Sequence, residues 1–76
     1  MSREPREIDP VIVRLTLAAL AEEYGARIAG ATLDSERGAY LEAWARTSRR
    51  ELEGLDTTEA ASMRALFDAI VERVRS

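Results

Sequence analysis

The segment from Pro10 to Ala29 is apolar around most of a helical circumference, and this constrains the chain more than any other feature. At about 100° per residue, Val13, Leu17, Leu20, Tyr24 and Ile28 fall on one bulky stripe. A stripe of small residues, Ala18, Ala21, Gly25 and Ala29, runs beside it. Val11, Ile12, Leu15 and Ala19 cover most of the remaining circumference in the N-terminal half. A helix apolar all round has to be buried all round. The rest of a 76-residue chain supplies two further helices, too few to surround it. The apolar excess therefore points to contact with another chain.

Local signals divide the sequence into three helices. The first opens at Asp9-Pro10, where Asp caps and Pro takes the first helical position at no hydrogen-bonding cost. It is expected to run from about residue 9 to 29, with Gly30 as its C-cap. The second is expected over 34–53, starting at Asp34 or as early as Thr32 and stopping before Gly54. The third is expected over 57–75. Its start, Asp56-Thr57-Thr58-Glu59, has the spacing of a capping box, with Asp56 as the cap and Leu55 at the staple position. No alternating pattern long enough for a strand appears. Loops of about four and two residues favour antiparallel neighbours. The fold class is all-α, a small three-helix bundle over residues 9–76 behind a flexible N-terminal arm of residues 1–8.

The second and third helices differ in quality. Met63, Leu66, Phe67, Ile70, Val71 and Val74 occupy one clean arc of about 140°, with Arg64, Asp68, Glu72 and Arg73 outside it. On the second helix Tyr40, Leu41, Trp44, Leu52 and Leu55 share a face, yet residues 45–51 supply no bulky apolar group. Ser48 lies on the apolar side of that gap, so the local core is thin or another element fills it. Trp44, the only Trp, suits core packing; flanked by Tyr40, it also suits an anchor for a partner.

Composition removes whole classes of chemistry. There is no Cys and no His, and all eleven positive charges are Arg. Disulfides, thiolate or imidazole metal sites, and His- or Lys-assisted nucleophiles are therefore excluded. The carboxylates that share a face, Asp68 and Glu72, point away from the apolar arc and lack a cleft to shift their pKa values. The expectation is no enzyme activity, no catalytic residue, no metal and no cofactor. Residues 9–30, 34–53 and 56–76 each net −1, so no segment carries a basic stripe. The cluster Arg46, Arg49 and Arg50 is matched by Glu42 and Glu53 at helical spacing. The longest apolar run, Val11 to Ala21, is eleven residues broken by Arg14 and Thr16, against about 20 for a spanning helix. The acidic, Pro-containing N-terminus does not resemble a signal peptide. A cytoplasmic protein that binds neither membrane nor nucleic acid is expected.

One alternative has a specific basis. Leu20-Ala21-Glu22-Glu23-Tyr24-Gly25 places a small residue four before a glycine, as at the turn of a helix-turn-helix. On that reading the protein is a DNA-binding regulator whose recognition helix begins near Ile28. The following residues bring Asp34 and Glu36 where positive charge is required, which counts against it. The reading preferred here is a small non-enzymatic interaction protein, regulatory, inhibitory or an accessory subunit. It acts as a homodimer or larger helical assembly, or on a larger protein partner. Its expected interface comprises Val11, Ile12, Leu15, Ala18, Ala21 and Gly25 on the first helix, together with Trp44.

Overall fold

The computed structural model describes residues 9–76; the expected N-terminal arm, residues 1–8, lies outside them. Three helices account for nearly all of the described chain: α1 (Pro10–Gly30), α2 (Asp34–Glu51) and α3 (Thr58–Arg75). No strand occurs among the described residues, and no described helix is long and apolar enough to cross a membrane. The chain runs up, down and up, with α2 in the middle packed along both neighbours. The backbones of α1 and α3 stay more than 8 Å apart everywhere. An exposed ion pair, Arg14 to Glu59 at 3.6 Å, also joins their N-terminal ends, and it contributes little in water.

The core gathers around the C-terminal half of α2. Val13 of α1, Ala45 and Leu52, and Ala60 and Phe67 of α3 are buried together, with Trp44, Leu55, Met63, Ile70 and Val71 packed against them. Trp44 meets Phe67 edge-on, ring centroids 5.2 Å apart. The expected gap in α2 is real in sequence and absent in space. Ala45 and Ser48 have no exposed surface, because small side chains let the neighbouring helices close on α2. No hydrogen-bond partner is found for Ser48 Oγ or Trp44 Nε1 among the described residues.

Several helix ends differ in detail from expectation. The Asp9 cap is as expected, its carboxylate accepting from the Val11 N–H at 2.9 Å. At the other end α1 includes Gly30, whose φ is not positive, and the cap is Ala31 in extended conformation. Ala31 is buried, and its N–H closes the helix on the Ile28 carbonyl. α2 begins at Asp34 after Leu33, with no side-chain cap. It stops two residues early because Leu52 turns inward to become the most buried large apolar side chain. The connection to α3 is therefore six residues, 52–57, rather than two.

The cap of α3 is Thr57, not Asp56. Thr57 is extended and its hydroxyl accepts from the Ala60 N–H at 3.0 Å. Ala60 must be buried, and this start places it on the inner face as the third helical residue. Glu59 then occupies the second position, where it meets Arg14 instead of closing a capping box.

Two residues of α3 also change sides. Leu66, at the edge of the predicted arc, is 64% exposed. Arg64, expected on the surface, is half-buried, and its guanidinium donates to the carbonyls of Leu52 (2.6 Å) and Leu55 (2.9 Å). These carbonyls follow the last turn of α2 and have no helical partner of their own. A cation there also opposes the negative end of the α2 dipole.

Two stability measurements check these assignments. Thr57→Ala lowers the unfolding free energy by about 0.5–2 kcal/mol in urea, whereas Asp56→Ala leaves it within about 0.5 kcal/mol. Arg64→Met keeps the aliphatic stem but loses both charge-assisted bonds, at a cost of about 1.5–3 kcal/mol.

Candidate interaction surface

The surface begins with how α1 is anchored. Val13 is buried and Leu17, Leu20, Tyr24 and Ile28 are half-buried, so the bulky stripe is the face that α1 gives to the bundle. With only α2 along its length, one face is all that α1 can bury. The opposite face is left in water. Val11 is 62% exposed, Ile12 60% and Leu15 65%. Ala18, Ala21 and Gly25 are exposed as well.

The structure thus brings six of the seven expected residues onto one side of the molecule. Trp44 is elsewhere. It stands on α2, packed against the core and edge-on to Phe67 of α3.

Gly25 has no packing role among the described residues. A methyl group built on its Cα meets nothing within 4 Å, so neither α2 nor α3 requires the glycine. α1 also passes through Gly25 as unbroken helix, without the turn on which a helix-turn-helix depends. A glycine inside a helix costs about 1 kcal/mol relative to alanine. Here that cost has no return inside the described structure.

Polar groups at the margins are locally satisfied. Thr16 Oγ1 donates to the Ile12 carbonyl at 2.9 Å, and Arg27 pairs with Glu23 at 3.1 Å. Glu22 makes no ion pair among the described residues. Between the N-terminal halves of α1 and α3 the separation leaves a hollow of about 290 Å³. Its walls include Val13, Leu17, Leu55 and Met63, with Arg14 and Glu59 also lining it.

The arginine cluster behaves as the spacing implied. Arg46 bonds Glu42 at 2.8 Å, and Arg49 bonds Glu53 at 3.2 Å. Arg49 also reaches across to Asp68 of α3 at 2.7 Å, a tie between helices that sequence spacing did not show. This face is a mixed-charge surface rather than a run of free cations.

The sequence signal missed most clearly was Arg64, because a long side chain outside an apolar arc reads as solvated. The Leu55–Asp56 segment before α3 was the available clue, since a broken helix end leaves carbonyls that need a donor. Comparison of the chain with protein-family models, curated proteins and solved structures finds no match.

The open space around Gly25 gives a direct test of its neutrality inside the chain. Gly25→Ala, measured by thermal unfolding at concentrations where the protein is monomeric, raises stability by about 0.5–1 kcal/mol. A loss of stability under those conditions means that the glycine is needed within the fold.

Proposed function

We propose that this chain is a non-enzymatic helical interaction protein, regulatory, inhibitory or an accessory subunit, that associates through the outer face of α1, most simply as a homodimer. One observation carries the reading: Val11, Ile12 and Leu15, three large apolar side chains within five residues, are each at least 60% exposed on one helix. Contiguous exposure of this kind marks interaction sites on soluble proteins. The size of the core supports it. A domain of this length draws only a few kcal/mol from its own core, and association is a standard supplement.

A two-fold contact is the commonest form of self-association and uses one patch twice. Light scattering across a concentration series measures it. The wild type is expected at twice its 8.5 kDa chain mass. Leu15→Glu or Ile12→Glu returns it to the monomer with helix content unchanged, since neither side chain is in the core. A monodisperse 8.5 kDa wild type at high micromolar concentration overturns self-association. The face then belongs to a larger protein partner.

A further inference from the structure

The outer face of α1 has an internal order that specifies how two copies meet. Its exposed residues fall in columns repeating every seven positions. Val11, Ala18 and Gly25 form one; Ile12, Ala19 and Ala26 a second; Leu15, Glu22 and Ala29 a third. All nine are exposed. A seven-residue repeat is the spacing that keeps a single seam against a partner helix.

Each column runs from a bulky residue at the N-terminal end to a small one at the C-terminal end. Parallel pairing of two such helices sets Leu15 against Leu15 and glycine against glycine, which splays one end and leaves a void at the other. Antiparallel pairing centred near Leu20 sets large against small throughout. Leu15 then faces Gly25 and Ala26 of the second copy, and Val11 and Ile12 face Ala29.

Charge agrees with size. From Pro10 to Leu20 the only charged residue is Arg14, whereas Glu22 and Glu23 follow in the other half. Arg27 is already held by Glu23. Antiparallel helices therefore bring the positive half of each α1 alongside the acidic half of the other. Arg14 is free to take part, because its 3.6 Å contact with Glu59 joins two side chains that are 71% and 68% exposed.

We infer that two copies of this chain pair through antiparallel α1 helices, with Gly25 of each receiving Leu15 of the other and Arg14 of each lying alongside the acidic half of the other. The inference rests on the reading of this face as a self-association surface. It supplies what the described fold lacks, a reason for a glycine that no described residue crowds.

Because the chain has no cysteine, each introduced thiol reports a single position. Under oxidising conditions, Leu15→Cys chains mixed with Ala26→Cys chains are expected to form disulfides between the unlike chains. Leu15→Cys alone is expected to remain uncrosslinked, since the two copies of that position are about 16 Å apart at 1.5 Å per residue, beyond disulfide reach. Gly25→Leu, which meets open space in its own chain, weakens dimerisation at least about tenfold by overfilling the seam.

Efficient crosslinking of Leu15→Cys to itself, or undiminished dimerisation of Gly25→Leu, overturns the antiparallel arrangement while leaving self-association in place. A wild type that stays at 8.5 kDa removes self-association, and this inference with it.

Discussion

The spacing of the helices around Ala45 and Ser48 is the constraint on which the rest of the structure depends. Both residues are fully buried in the C-terminal half of α2, and Ala45 shares one cluster with Val13 of α1 and with Ala60 and Phe67 of α3. Larger side chains at these positions would hold the neighbours away, and dispersion contacts fall off steeply with a gap of even 1 Å. The small residues have a consequence at each side. α2 is the only helix with two packed neighbours, and α1 and α3 are held apart by it.

That arrangement divides the burden unequally. α3 has one apolar arc and buries most of it, leaving only its edge residue Leu66 in water. α1 has apolar residues on nearly every side and one neighbour, so whatever lies opposite Val13 and Leu17 is left over. Closing the α1–α3 gap would not remedy this. The exposed positions of Val11, Ile12 and Leu15 are opposite α2, and the hollow beside α3 is lined by Val13 and Leu17 instead. The surplus is a property of the outer face of α1.

The same logic explains why polar detail clusters at the C-terminal end of α2. Leu52 leaves the helix to fill the core, its carbonyl accepts from the Leu55 N–H in a turn at 3.1 Å, and the Leu55 carbonyl lies beyond the helix end. Arg64 donates to both carbonyls. Burying one leucine thus recruits an arginine twelve residues later and brings it partly out of solvent. The joint between α2 and α3 is consequently held by apolar packing and by charge-assisted hydrogen bonds at one place.

Much of the architecture was legible along the chain. The periodicity of residues 10–29, the Asp9-Pro10 start and the apolar arc from Met63 to Val74 depend on neighbours three or four residues apart, so they are local facts. The pairs Glu42–Arg46 and Arg49–Glu53 were legible for the same reason. The surplus on α1 followed from counting, since no two helices can surround a third. What the tertiary structure alone decided depends on distances across the bundle. The cap passes from Asp56 to Thr57 because Ala60 has to face inward, and α2 ends early because Leu52 is worth more in the core than in another half-turn of helix. Arg64 turns inward toward carbonyls far from it in sequence, and Gly25 proves uncrowded because it lies on the face of α1 turned away from α2. Periodicity determines which face of a helix is apolar. Only packing decides which neighbour comes close enough to cover it, because burial and hydrogen bonding depend on separations of a few ångströms that sequence spacing does not contain.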